Sequence, residues 1–228
     1  MDKESLMLTI AVLGGTGKEG KGLAYRWARA GYRVLIGSRV SERAVTVASE
    51  IMQLLEGASS VVGTTNLEAA QQSDIVVLAV PYAAHRATLE SVKAALKDKL
   101  LIDVTVPLVP PKVSKVQMPA AGSAAQEARE IVGEDVQVAA AFQNISHELL
   151  LGEENVECDV LVTGTSKDAR REALKLVEAT GLTGWDAGPI ENSAVVEGLA
   201  SVLININKQY GSTHAGIKVT GVSRQSTD

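Results

Sequence analysis

The sequence has few of the residues that build disulfides, metal centres or nucleic-acid surfaces. Its 228 residues include one cysteine, Cys158, so neither an internal disulfide nor a paired-cysteine site can form. We expect this cysteine to be a small buried apolar residue, and the protein to work in a reducing compartment. Aromatic residues make up 3% of the chain and the net charge is -5. Both values argue against nucleic acid as the main partner, because phosphate binding needs a basic surface.

Long hydrophobic runs are also lacking. The first residues, MDKESL, carry no basic stretch followed by an apolar one, and no later run approaches the length of a membrane span. We therefore expect a cytoplasmic protein without a membrane partner. The length suffices for one large domain, or for one domain with a small appendage.

Motifs of hydrolases and metalloenzymes are missing as well. The chain has no Ser-His-Asp order, no HExxH, no YxxxK and no cluster of histidine, cysteine and carboxylates at metal-ligand spacing. The histidines His85, His147 and His214 are far apart in sequence, and each is expected to be a surface or capping group. We therefore predict no catalytic side chain and no metal ligand.

What the chain does contain is a series of short apolar runs with helical stretches between them. This alternation is typical of an α/β fold with a doubly wound parallel sheet, the Rossmann type. A first helix is expected from Lys18 to Gly31, and a second after Ser41, which would cap it. The predicted strands cover residues 8–13, 34–37, 75–80, 100–104 and 136–142.

Beyond Phe142 the pattern changes but still fits an extension of the same sheet. It predicts a short helical piece over residues 145–151, a strand over 160–163, a helix over 167–180 and a strand near 183–185.

The last helix, predicted over residues 192–209, is apolar around much of its girth. Such a helix must be covered, and a second subunit is the expected cover. The alternative is a helix packed against its own sheet. The apolar stripe consists of Val195, Leu199, Val202, Leu203 and Ile206, widened by Val196 and Ile204.

A glycine-rich turn, GGTGKEG, begins at Gly14, directly after the first strand, and opens the first helix. This is the context that a dinucleotide-binding motif needs. Gly15 is expected to permit the tight turn, Gly17 to let a pyrophosphate approach the backbone, and Gly20 to let the helix pack closely on the strand. The helix N-terminus would offer free N–H groups to the anion. The alternative is a turn that only connects strand to helix.

The residues at the end of the second strand predict a preference for NADP over NAD. An NAD site normally has an acid there, about 20 residues beyond the glycines, to bond the ribose 2′-hydroxyl. Ser38 and Arg39 take its place: Arg39 can form a fork onto a 2′-phosphate, and Ser38 can donate a further hydrogen bond. Arg43 adds charge four residues on. Val80 and Pro81 end the strand across the switch point of the sheet, where ligands of such folds bind.

The missing motifs bear on the kind of reaction. A dehydrogenase acting on an alcohol or ketone needs a placed acid or base, whereas transfer between two ring cofactors needs mainly stacking and orientation. This favours an oxidoreductase that passes hydride between NADP(H) and a second redox cofactor. The alternatives are an NADPH-dependent reductase of a flavin, ferric chelate or small imine, and an NADP-binding sensor without turnover.

Several segments follow one another along the chain in an order that is typical of one family. GGTGKEGKGLAYRWA with IGSR is followed by AVP, DVTVPL, AFQNIS, DAGPIENSAVVE and HAGIKVTG. Over nearly the whole chain these resemble the NADPH-dependent reductases of coenzyme F420, a 5-deazaflavin. The family implies a Rossmann NADP-binding domain, here residues 1–145, and a small C-terminal domain, residues 146–228, that completes the deazaflavin pocket and a dimer interface. It also implies a homodimer and reversible hydride exchange between the two cofactors.

The resemblance implies roles for individual residues as well. Thr16, Gly17, Lys18 and Glu19 would hold the pyrophosphate. Ser38, Arg39 and Arg43 would hold the 2′-phosphate, while Val80 and Pro81 would line the dinucleotide. The walls around the stacked rings would be formed by Val109, Asn144, His147, Ala215 and Gly216.

Overall fold

The computed structural model describes residues 8–57, 60–151 and 156–222. Within them the chain forms eight strands: β1 (Thr9–Leu13), β2 (Arg33–Ser38), β3 (Val61–Thr65), β4 (Ile75–Leu78), β5 (Leu100–Asp103), β6 (Gln137–Ala140), β7 (Asp159–Gly164) and β8 (Thr183–Pro189). They make one sheet in the order β3-β2-β1-β4-β5-β6-β7-β8. Because β1 lies between β2 and β4, the chain reverses its direction of travel across the sheet after β3. This is the doubly wound arrangement, and its switch point lies at the end of β1.

The described residues also form seven α-helices, which flank this sheet: α1 (Lys18–Arg29), α2 (Ser41–Leu54), α3 (Asn66–Gln71), α4 (Tyr82–Val92), α5 (Ala124–Val132), α6 (Lys167–Ala179) and α7 (Ser193–Tyr210). Successive strand residues point to opposite faces, so β1 contributes Ile10 and Val12 to one buried cluster, and Ala11 and Leu13 to the other. The first cluster includes residues of α1, α2 and α6; the second includes residues of α3, α4 and α5.

The direction of β7 is the main feature that the sequence does not reveal. Strands β1 to β6 are all parallel, whereas β7 pairs antiparallel with β6, with Ala139 opposite Gly164 and Ala140 opposite Thr163. Strand β8 is parallel to β7. The prediction that the later strands extend the same sheet is confirmed. The reversal places the start of β7 at the carboxyl ends of β1 to β6, which is the ligand-binding edge.

Helix α1 connects the two parts of the sheet. The buried Arg26 guanidinium donates hydrogen bonds to the carbonyl oxygens of Leu149, Leu150 and Thr180, at 2.8, 2.9 and 3.0 Å respectively. Trp27 Nε1 donates to the Leu176 carbonyl at 2.9 Å. These bonds fix the later segments to the helix that follows the glycine-rich turn.

Some local predictions hold and others need correction. Cys158 is buried, as predicted. Ser41 is the first residue of α2 and does not cap it, because the capping position is Val40, whose side chain makes no capping hydrogen bond. The predicted helical piece over residues 145–151 is a single 3-10 turn at His147–Leu149. His85 is not a surface group: its side chain is completely buried.

No helix in the described part of the chain is both long enough and apolar enough to cross a membrane.

Candidate functional site

The glycine-rich turn is shaped by contacts that leave no room for side chains. Gly14 has φ +71°, in the left-handed region, and a Cβ there would lie 2.6 Å from the Ala79 carbonyl oxygen. The left-handed residue of the turn is Gly14, and Gly15 has no room for a side chain either, since a Cβ there would lie 2.8 Å from the Val12 carbonyl oxygen. A Cβ on Gly20 would lie 2.8 Å from the Gly15 Cα, so Gly20 permits the close packing of α1 on the turn. Gly17 is different, since its Cβ would meet only the Gly14 oxygen at 3.5 Å.

The turn leaves the first backbone N–H groups of α1 available to a ligand. Gly17 occupies the capping position and offers no side-chain hydrogen bond to them. Such N–H groups, with the partial positive charge of a helix N-terminus, bind phosphate groups.

A cavity of about 220 Å³ lies beside this turn, at the carboxyl ends of β1, β2 and β4. We call it the nucleotide cavity. Its lining brings together most of the residues predicted for the dinucleotide and adds others that the sequence did not suggest: Gly14, Thr16, Gly17, Ser38, Arg39, Val40, Arg43, Asn66, Ala79, Val80, Pro81, Ala84 and Thr88.

The charge of the nucleotide cavity suits a phosphate group. Arg39 and Arg43 are both exposed and both line it. Neither guanidinium has an ion-pair partner among residues 8–57, 60–151 and 156–222. The cavity lining contains no carboxylate that would repel a 2′-phosphate or take the place of the NAD-selecting acid. The donor set at the end of β2 therefore fits NADP.

A second cavity, of about 340 Å³, lies on the other side of the turn, and we call it the ring cavity. It is bounded by the loop after β5, the turn after β6, helix α7 and the C-terminal segment. Most of its lining is apolar, amide or hydroxyl: Glu19, Val106, Leu108, Gln143, Asn144, Ile145, Ser146, His147, Ala200, Leu203, Ile204, Asn207, Thr213 and Ala215. An apolar cleft with a few polar groups is the usual setting for a flat ring ligand.

Glu19 is the acidic residue in this lining. It is half-buried at the start of α1, and burial raises the pKa of its carboxyl group to about 8. The family resemblance implies that Glu19 holds the pyrophosphate. In the structure Glu19 lines the ring cavity, two residues after Gly17, which lines the nucleotide cavity.

Helix α7 is anchored at the ring cavity by a buried acid. Glu197 is completely buried and accepts hydrogen bonds from the N–H groups of Ala124, at 2.7 Å, and Ala125, at 3.0 Å. Burial raises the pKa of Glu197 to about 8, although these two hydrogen bonds act in the opposite direction. The contact ties α7 to the first turn of α5 and so positions the α7 residues that line the cavity.

The predicted site residues divide into three groups. Gly14, Thr16, Gly17, Ser38, Arg39, Arg43, Val80 and Pro81 line the nucleotide cavity, whereas Glu19, Asn144, His147 and Ala215 line the ring cavity. Gly15 and Gly20 are buried in the turn and Lys18 is exposed at the start of α1. Val109 is exposed, next to the lining residue Leu108. Gly216 lies against Cys158, because a Cβ there would be 2.6 Å from the Cys158 Sγ atom.

A buried polar cluster below α4 was missed by sequence reasoning. His85 Nε2 lies 2.7 Å from Asp103 Oδ2, and His85 Nδ1 lies 3.2 Å from Glu127 Oε1. Burial disfavours the charged ring, yet the hydrogen bond to Asp103, together with Glu127, outweighs it and raises the pKa of His85. The Tyr82 hydroxyl donates to Glu127 Oε2 at 3.1 Å. No sequence spacing brings these residues together, since they come from three separate elements.

Comparison with known proteins gives a consistent result. The family model described as NADP oxidoreductase, coenzyme F420-dependent, matches residues 9–107. A protein of Methanothermobacter marburgensis named F420-dependent NADP reductase is 41% identical over 94% of this chain and 99% of its own length. The reductase of the same name from Methanocaldococcus jannaschii is 33% identical, again over 94% and 99%.

Solved structures show the same fold. The crystal structure of a candidate F420-dependent NADP reductase from Arthrobacter sp. FB24 superimposes with a TM-score of 0.79 at 24% identity, over 94% of this chain and all of that one. A pyrroline-5-carboxylate reductase of Coxiella burnetii gives a TM-score of 0.57 at 16% identity, over 91% of this chain and 73% of the other.

The doubly wound sheet, the glycine-rich turn and the cationic cavity at the end of β2 define a dinucleotide-binding protein of the Rossmann class. At 33–41% identity over nearly the full length of its relatives, the chain belongs to the family of F420-dependent NADP reductases.

Proposed function

We propose that this protein catalyses reversible hydride transfer between NADP(H) and the deazaflavin coenzyme F420. The observation that carries the proposal is the pair of cavities separated by residues 16–19 at the start of α1. One cavity is cationic and fits a 2′-phosphorylated dinucleotide, and the other is largely apolar and fits a ring. The names of the family's curated members support the same pair of substrates.

The chain's own residues have binding and positioning roles in this proposal. The N–H groups at the start of α1 hold the pyrophosphate, and Arg39 and Arg43 neutralise the 2′-phosphate. When bound, the nicotinamide supplies or accepts the hydride. Leu108, Ile145 and Leu203 in the ring cavity exclude water and restrict the orientation of the second ring. Such positioning is the main requirement for transfer between two rings.

Residues 146–228 complete the ring cavity in this proposal. They supply its wall on α7 and in the C-terminal segment, while residues before 146 supply the wall at the turn and the loop after β5.

We assign the protein to the cytoplasm, an assignment supported by its single, buried cysteine.

We also propose a homodimer formed through α7. Val196 and Leu203 are buried against the rest of the chain, but Val195 is 71% exposed and Val202 is 47% exposed. The two exposed valines, Val195 and Val202, share one face of the helix with Leu199 and Ile206, because the four residues are spaced at i, i+4, i+7 and i+11. A second copy of the same face would cover it by two-fold symmetry.

The decisive experiment mixes the purified protein anaerobically with NADPH and oxidised F420. The proposal expects loss of the deazaflavin absorbance together with oxidation of one NADPH per deazaflavin. Flavin mononucleotide, a ferric chelate and a cyclic imine serve as parallel substrates. Faster turnover of any of these would overturn the choice of F420, and NADPH binding without turnover of any substrate would indicate a sensor.

A further inference from the structure

Asn66, the first residue of α3, lies where the two phosphate-binding parts of the nucleotide cavity meet. It directly follows Thr65, which pairs with Ser38 across β3 and β2. Its side chain lines the cavity together with Arg39 and the residues of the glycine-rich turn. Asn66 therefore lies within reach of both the turn and the cationic end of β2.

The two ends of the Asn66 amide have different surroundings. Oδ1 accepts a hydrogen bond from the Gly14 N–H group at 3.3 Å, so this end must be the carbonyl oxygen. The same oxygen lies only 2.8 Å from where a Cβ of Gly37 would stand, so it fills the gap between the ends of β1 and β2. Nδ2 has no hydrogen-bond partner in the described part of the chain, which leaves two N–H donors beside the cavity.

We propose that Asn66 holds the glycine-rich turn in its binding shape through Oδ1 and donates a hydrogen bond from Nδ2 to the 2′-phosphate of NADP. The inference rests on the proposed function, because it needs NADP as the ligand of the nucleotide cavity. It adds a neutral donor to the two guanidinium groups, on the side of the cavity opposite α2. A donor without a protein partner bonds water in the free protein, and the phosphate replaces that bond by a stronger, charge-assisted one.

Two variants separate the two halves of the proposal. Asn66→Asp keeps an oxygen that can accept from Gly14 N–H, but replaces the donor by an oxygen that repels phosphate. Asn66→Ala removes both contacts. Gln71→Glu, an exposed position on the same helix, introduces the same charge change away from the cavity and serves as the control.

Binding is measured by calorimetry with 2′,5′-ADP and 5′-AMP, two fragments that differ only by the 2′-phosphate. We expect Asn66→Asp to weaken 2′,5′-ADP binding about 10-fold or more, the usual effect of losing a charge-assisted hydrogen bond, and to change 5′-AMP binding little. Asn66→Ala should weaken both fragments, because the turn loses its support. Melting temperatures of all variants report whether they fold.

The possible results distinguish this inference from the proposed function. If the unaltered protein does not prefer 2′,5′-ADP over 5′-AMP, the NADP assignment itself fails. If it does and folded Asn66→Asp binds both fragments as the control does, Asn66 is not a phosphate ligand. Equal losses for the two fragments in Asn66→Asp would also overturn the 2′-phosphate contact.

Discussion

At the scale of single residues, Arg39 is the residue that we expect to decide between NADP and NAD, because it lines the nucleotide cavity at the end of β2. Losing one charge-assisted phosphate contact costs about 1.5 to 3 kcal/mol, so Arg39→Ala should weaken NADPH binding roughly 10- to 150-fold and NADH binding little. Fluorescence titration with both dinucleotides provides the measurement. Arg33→Ala, at the opposite, exposed end of β2, is the control and should affect neither. Equal losses for NADPH and NADH in Arg39→Ala would contradict the role of Arg39.

The burial of Glu19 should make the stability of the protein depend on pH. Its pKa rises from 4.5 to about 8 on folding, so the folded chain binds more protons than the unfolded chain between these values. The unfolding free energy therefore falls as the pH rises from about 4.5 to about 8. Glu19→Gln removes this penalty, and the stability advantage of the variant should grow across that window and level off above it.

Urea denaturation of the protein and of Glu19→Gln at several pH values tests this expectation. Glu42→Gln, at an exposed position in the first turn of α2, controls for the loss of one carboxyl group. A pH dependence that is the same with and without Glu19 would show that the burial of this side chain has no thermodynamic consequence.

At the scale of elements, two glycines at the start of α1 should affect different properties, Gly20 the stability of the fold and Gly17 the binding of the ligand. A methyl group on Gly20 would press on the Gly15 Cα at 2.8 Å and the Ala79 Cβ at 3.2 Å, so Gly20→Ala should destabilise the protein by about 1–3 kcal/mol. Gly17→Ala should leave stability nearly unchanged, because its Cβ meets only ordinary contact distance. It should nevertheless weaken NADPH binding, because in the proposed function the pyrophosphate approaches the backbone at this position.

Thermal unfolding and NADPH titration of both glycine variants provide the comparison. Loss of stability in Gly17→Ala without loss of affinity would place the pyrophosphate elsewhere.

Helix α7 provides a test of the proposed dimer. Val202 is 47% exposed in the single chain, so Val202→Glu should leave the fold intact and put an unpaired carboxylate into a dry interface, at a cost of several kcal/mol. The variant should sediment as a monomer where the parent is a dimer. Val45→Glu, on an equally exposed position of α2, should not change the mass. A folded Val202→Glu of unchanged dimeric mass would exclude α7 as the interface.

At the scale of the whole molecule, strands with strong local patterns were predictable and their directions were not. The runs that became β1, β2, β4, β5 and β6 are apolar and short, which fixes them as buried strands. Strand β3 was missed because it is only partly buried and contains Gly63, which weakens the signal. The antiparallel direction of β7 depends on how the chain returns after residue 151, and periodicity carries no information about that.

The candidate site was predictable to a similar degree. The nucleotide cavity follows from a local motif, so the turn and the residues Ser38, Arg39 and Arg43 could be named in advance. Asn66 directly follows β3, a strand that was not predicted, so no sequence pattern indicated that this residue lines the cavity. The His85 cluster forms only when α4, β5 and α5 meet, and the ring cavity combines segments that are more than 180 residues apart in sequence.

Helix α1 connects the nucleotide cavity to the far part of the sheet, and this has a consequence for hydrogen exchange. Its start borders the two cavities, while Arg26 and Trp27, near its other end, donate hydrogen bonds to the carbonyl groups of residues 149, 150, 176 and 180. A ligand that binds only when α1 is folded and in place raises the free energy of every local unfolding event that detaches α1. Bound 2′,5′-ADP should therefore slow deuterium uptake at the backbone of residues 176–182, about one helix length from the phosphates.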